Sequence, residues 1–117
     1  MKFLSIEPFV PSGKDFEQSK SFFLELGFTI NWEVPGYIGF QKDECRFILQ
    51  AYDKREFAEN FMLSVKVDSV HTFRTMLIDK QLADKFGVRV GEVSKQSYGM
   101  ELNLIDLAGV CWHFVEQ

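Results

Sequence analysis

Asp15-Phe16-Glu17-Gln18-Ser19-Lys20-Ser21-Phe22-Phe23-Leu24-Glu25-Leu26-Gly27-Phe28 reads as one complete helix with both ends written into it. Phe16, Phe22, Phe23 and Leu26 fall on one stripe at helical spacing. Gly27 is a natural left-handed stop, and Phe28 opens an apolar run that reads as a strand. Upstream, Ser12 stands three residues before Asp15, the spacing of a capping box, so either residue can open the helix. A helix of the same kind returns later. Asp68 opens it, Val70, Phe73, Met76 and Leu77 form its inward stripe, and it frays through Ala83-Asp84-Lys85 to Gly87.

Strand patterns flank both helices in the same order. Residues 3–10 precede the first helix, and Pro11-Ser12-Gly13 breaks them off. Residues 28–32, 37–41 and 46–52 follow it, with a turn at Pro35-Gly36 and a hairpin around Lys42-Asp43-Glu44. Residues 53–60 are charged and read as a linker. The second copy has strands at 61–67, 88–93, 99–105 and 110–116, with Asp106-Leu107-Ala108-Gly109 as its last turn. A repeat of half the chain length constrains the fold strongly. The expectation is a single α+β domain over residues 1–117, made of two tandem βαβββ modules, 1–56 and 57–117. Their strands would form a curled, cup-shaped mixed sheet with the helices on its outer face.

Alternation along the strands separates two faces. One is apolar: Leu4, Ile6, Pro8 and Val10; Phe47, Leu49 and Ala51; Leu63, Val65 and Val67; Met100, Leu102 and Leu104; Trp112 and Phe114. The other mixes Ser5, Glu7, Phe9, Arg46, Gln50, Tyr52, Met62, Ser64, Lys66, Glu101, Asn103, Cys111 and His113. A few polar groups on an apolar lining is the pattern of a small-molecule site.

Composition narrows the function classes. Of 117 residues, 46% are hydrophobic, enough for one core. The net charge of −4 argues against nucleic acid, whose phosphates want a basic surface. No apolar run approaches the ~20 residues of a membrane span, and Glu7 interrupts the start of the chain before a signal sequence can form. The two cysteines, Cys45 and Cys111, read as reduced thiols of a cytoplasmic protein. There is no Gly-rich phosphate loop. His71 reads as a surface residue of the second helix.

Two βαβββ modules of this length resemble the glyoxalase/bleomycin-resistance/dioxygenase (vicinal oxygen chelate) superfamily. The segment 15–28 is similar to its helix-to-strand signature, and the closing stretch 98–114, with Asp106-Leu107-Ala108-Gly109 at the turn, to its final hairpin. The resemblance implies an open cup, often completed by dimerisation. It also implies metal positions, which fall here at Ser5, near Ile48 or Gln50, at Met62 and at His113. Serine and a thioether are not ligands that a hard or borderline divalent ion selects, so no metal and no cofactor are expected. Glu7, Glu101 and His113 could do acid–base work if they converge, or orient a ligand.

The resulting expectation is a metal-independent small-molecule binding protein, a homodimer, that sequesters its ligand in the cup or at a dimer crevice. The expected contacts are Ser5, Glu7, Phe9, Trp32, Gln50, Tyr52, Met62, Glu101, Asn103 and His113. The alternative is a metal-dependent lyase, isomerase or dioxygenase of the same superfamily with a degenerate site at His113. Whether the chain is an enzyme stays open at this point.

Overall fold

The computed structural model describes residues 1–117, which divide into two compact units, Met1–Asp53 and Lys54–Gln117. In the first, β1 (Phe9–Pro11) leads into α1 (Phe16–Glu25), followed by β2 (Thr29–Val34), β3 (Tyr37–Lys42) and β4 (Cys45–Gln50). The sheet order is β1-β4-β3-β2, with β1 parallel to β4 and the remaining pairs antiparallel. Asp15 is the residue that caps α1, its carboxylate accepting from the Gln18 amide at 3.0 Å. Ser12 instead anchors the helix from outside, its carbonyl accepting from the Ser19 hydroxyl at 2.5 Å. Phe22 and Phe23 of α1 are buried, and Phe23 packs against Phe28, Phe40 and Phe47, at 4.8 Å from Phe47 and 5.8 Å from Phe40 between ring centroids. The helical stripe and the apolar sheet face therefore meet as the pattern requires.

The second unit starts with a helical turn, α2 (Arg55–Glu59), where the charged stretch 53–60 reads as linker. Then follow β5 (Met62–Val67), α3 (Val70–Asp79), α4 (Leu82–Phe86), β6 (Arg89–Val90), β7 (Ser94–Gln96), β8 (Gly99–Ile105) and β9 (Cys111–Glu116). The order is β5-β9-β8-β6, with β7 also on β8; β5 and β9 are parallel. Phe73 of α3 packs on Phe114 of β9 at 4.3 Å. Each unit is thus a mixed sheet with a helix on its apolar face, and the chain is α+β.

Four local expectations are corrected. The first strand does not run from residue 3: Pro8 has no N–H to offer a ladder, and only residues 9–11 pair, although the Pro8 carbonyl still accepts from Ile48. Leu4 and Ile6, assigned to the apolar face, are 91% and 89% exposed. Ser69, not Asp68, caps α3, because its hydroxyl accepts from Thr72 while the Glu116 carboxylate takes the Val70 amide. The fraying tail of that helix is a separate helix, α4, set off by Gln81 at φ +55°, and of the strand expected over residues 88–93 only Arg89–Val90 pairs, with a further short strand beyond it at Ser94–Gln96.

Candidate functional site

The hairpin between β8 and β9 fixes the geometry of the mixed face in the second unit. Asp106 is buried, and its Oδ1 accepts from the amides of Ala108, Gly109 and Val110, each at 3.0 Å. Its Oδ2 accepts from the Trp112 indole at 2.9 Å. Burial pushes this carboxyl up from its ordinary value, and the four donors oppose that. Arg55 closes the loop from outside, donating to the Ala108 carbonyl at 3.0 Å. The turn sets the register in which Asn103 faces His113 and Ser64 faces His113 from the other side.

On this frame Glu101, His113 and Tyr98 form one hydrogen-bonded cluster. Glu101 is only 6% exposed. The Tyr98 hydroxyl donates to its Oε1 at 2.5 Å, and His113 Nδ1 lies 3.0 Å from its Oε2. The bond from Tyr98, and then that from His113, holds the Glu101 carboxyl below its ordinary value against the effect of burial. The same bond raises the Tyr98 phenol. With Glu101 ionised and able only to accept, the hydrogen between them sits on Nδ1. His113 Nε2 is buried and has no partner. Nearby, burial pushes the Cys111 thiol up, with help from the Glu101 charge, so it stays protonated and is a poor nucleophile at neutral pH.

The first unit presents a different surface. The registers Phe9↔Ile48, Ile48↔Gly39 and Gly39↔Trp32 place four positions in one row across all four strands. Gly39 has no side chain, and the Trp32 indole fills its place; a Cβ there would fall inside the ring. Trp32 is 41% exposed and Phe9 52%. Tyr37 meets Phe9 edge-on at 6.3 Å. The row is an aromatic shelf on the sheet face opposite α1.

The expected contact residues therefore separate. Glu101 and His113 are joined, with Asn103 and the exposed Met62 on the same sheet face. Phe9, Trp32 and Gln50 share a face of the first sheet, and Tyr52 lies just beyond β4. Ser5 and Glu7 bond to each other at 2.7 Å in the segment before β1, which joins no strand. Tyr98 and Gly39 were not anticipated. Tyr98 sits three residues before Glu101 across the turn at Gly99, a spacing that could have flagged it. Gly39 carries no signal until the register is known.

No group of three or more His, Cys, Asp or Glu side chains that could hold a metal ion converges; Ser5 bonds to Glu7, and His113 Nδ1 to Glu101. A hollow of about 250 Å³ lies along the exposed side of α3, lined by His71, Arg74, Thr75, Ile78 and Asp79. Arg74 there is already engaged with the Gly91 carbonyl and Glu92. His71 is exposed, as its place on the helix suggested. No helix is long and apolar enough to cross a membrane.

No protein-family model matches the sequence, and no curated protein is similar to it in sequence. Solved structures are similar in fold. The bleomycin resistance determinant encoded on the transposon Tn5 superposes with a TM-score of 0.81 at 19% identity, over 98% of both chains. The bleomycin-binding protein of Streptomyces verticillus, complexed with copper(II)-bleomycin, gives 0.78 at 18%, over 100% of this chain and 98% of that one. An antibiotic-binding protein from a Streptomyces strain gives 0.75 at 19%, over 99% and 98%. Likeness at such identities, over whole chains on both sides, is likeness of backbone: this chain has the vicinal oxygen chelate fold of the bleomycin-resistance and glyoxalase proteins.

Proposed function

We propose that the chain is a metal-independent small-molecule binding protein of the bleomycin-resistance type, acting as a homodimer in the cytoplasm. The observation that carries this reading is the aromatic shelf of Phe9, Trp32 and Tyr37, an exposed apolar surface on a sheet face that its own helix does not cover. Exposed aromatic surface of this kind suits a flat ligand, which it holds by stacking. The neighbours named above bind bleomycin or an antibiotic, and their fold supports the same class of task here. Ser5, Glu7, Gln50, Tyr52, Met62, Glu101, Asn103 and His113 are the polar and flanking contacts of this reading.

The homodimer is supported by the segment before β1. Phe3, Leu4 and Ile6 are each at least 88% exposed, and apolar residues in an unpaired extended stretch favour a sheet edge of a second copy. The free thiols of Cys45 and Cys111 support a reducing compartment. The test is a thermal-shift and fluorescence titration with metal-free bleomycin and a panel of planar aromatic antibiotics, with elemental analysis of the purified protein beforehand. A ligand at 100 times its dissociation constant should add ~2.7 kcal/mol of stability. The shift should be lost in Trp32→Ala. A stoichiometric bound metal, or a panel without a single shift, would overturn the reading.

A further inference from the structure

The aromatic shelf of the first unit has a polar border on one side only. Its apolar row, Phe9, Ile48 and the Trp32 ring seated on Gly39, crosses four strands, about 14 Å at the usual spacing. Tyr37 and Val34 continue it on one side, and Val34 is exposed like Phe9 and Trp32. Arg46 and Gln41 form the border on the other side. Arg46 is the single charged strand residue on this face. Glu33 stands across from the buried Ile38 and bonds Lys20 of α1 at 2.8 Å, and the Lys42 stem lies against Gly27 just past α1, so both belong to the opposite face. Arg46 is exposed and makes no hydrogen bond or ion pair. Gln41 beside it is already engaged, accepting from Asn31 at 2.8 Å and donating to the Asp43 carbonyl at 2.9 Å. The carboxylates nearest in sequence do not neutralise it: Asp43 faces Lys42 at 3.7 Å, Glu7 accepts from Ser5, and Glu44 in the turn makes no ion pair.

We infer that Arg46 selects the charge of the bound molecule: the shelf takes a flat aromatic acid, with its rings over Ile48 and Trp32 and its anionic oxygens on the Arg46 guanidinium, an inference that rests on the small-molecule reading above. Arg46 and Ile48 are two residues apart on β4, roughly 6.6 Å along the strand. An arginine stem spans that distance, so an acid group carried directly on the ring system comes within reach. A guanidinium stays charged at every physiological pH and presents a planar fork that fits a carboxylate or phosphate with two parallel bonds. Aromatic faces also attract cations, but here the guanidinium repels one and the strands offer this face no carboxylate to receive it. Solvent sets the size of the preference. An exposed ion pair changes affinity by up to about fivefold, so the rings supply the binding and Arg46 the discrimination.

The test uses 15N-labelled whole protein near neutrality in low salt, with three probes that share a ring system and differ in charge: 2-naphthoate, 2-naphthamide and 2-naphthylmethylammonium. The Trp32 indole N–H and the Arg46 Nε–H resonances are followed through each titration. The naphthoate should bind about fivefold more tightly than the amide, with the ammonium weakest, and should move both resonances. Raising the salt to about 1 M, where charges are screened within ~3 Å, should close the gap between acid and amide. Arg46→Gln, a change at an exposed side chain that should leave the melting temperature unaltered, should bring the naphthoate down to the affinity of the amide. Arg46→Lys should retain part of the preference. Equal binding of acid and amide, or tighter binding of the ammonium, with the Trp32 resonance moving would overturn the aromatic-acid assignment and leave the small-molecule reading standing. A preference for the naphthoate that survives Arg46→Gln would overturn the role of Arg46. Failure of all three probes to move Trp32 up to their solubility limits would count against both readings.

Discussion

The two units follow one plan and end with opposite surfaces. In the first, β1 pairs with β4 over three residues, while its counterpart β5 pairs with β9 over six. The first hairpin turns on Asp43, an exposed residue at φ +51°; the second turns on Asp106, buried with four hydrogen bonds. The first sheet shows an aromatic shelf, the second a Tyr–Glu–His cluster. The apolar face is held to one solution by the helix that packs on it, whereas the other face is under no such constraint and can carry chemistry. Trp32 lies in the first unit and Trp112 in the second, so variants retaining one tryptophan report on each unit separately.

The sharpest break is in the first core. Phe23 touches Phe22, Phe28, Phe40 and Phe47, so Phe23→Ala should cost about 3–5 kcal/mol, read by urea unfolding at Trp32. The hairpins come next. Asp106→Ala leaves the Ala108 and Val110 amides and the Trp112 indole without an acceptor, while the Gly109 amide keeps the residue-106 carbonyl, and should cost about 3 kcal/mol, read at Trp112. Asp43→Gly relieves a left-handed residue on the surface and should change stability by less than about 1 kcal/mol. Equal effects at the two turns would mean that the Asp106 network is not what holds the second hairpin. Gly39→Ala should cost about 1–3 kcal/mol by displacing the Trp32 indole, with a shift in its emission. An unshifted spectrum would remove Gly39 as the seat of the shelf.

Much of this was legible in the chain, and the residues explain which part. The helix at 15–28, the hairpin at Asp106 and the strands at 99–105 and 111–116 carry local signals: a cap, a glycine stop, strict alternation. Glu101 and His113 could be placed on one face by counting in twos. What could not be read depends on partners distant in sequence. Residues 3–7 alternate like a strand, yet a strand needs a neighbour, and the proline that breaks the ladder says nothing of what lies beyond it. Trp32 over Gly39 depends on a register that shifts between Ile30 and Trp32, which periodicity does not reveal. Tyr98 reaches Glu101 by turning back at Gly99 (φ +134°), so it escapes any reading by face.

The smallest expected effect separates the two units by pH. Glu101 is held below its ordinary value by the Tyr98 hydroxyl and then by His113, both of which bind the ionised form. A carboxylate lowered in the folded state adds stability above its unfolded value, and that stability is lost as pH falls through the folded one. The second unit should therefore weaken on acidification below about pH 4.5, the carboxyl's ordinary value, with unfolding followed at Trp112. Tyr98→Phe should remove part of this dependence, and Glu101→Gln all of Glu101's share, at a cost of about 1 kcal/mol near neutrality. The first unit contains no such cluster, so its unfolding at Trp32 should not respond to either substitution. If the acid response at Trp112 survives Glu101→Gln unchanged, the cluster does not set the pH dependence of this unit, and another carboxylate does; Asp106, raised by burial, has the opposite sign and would be favoured by acid.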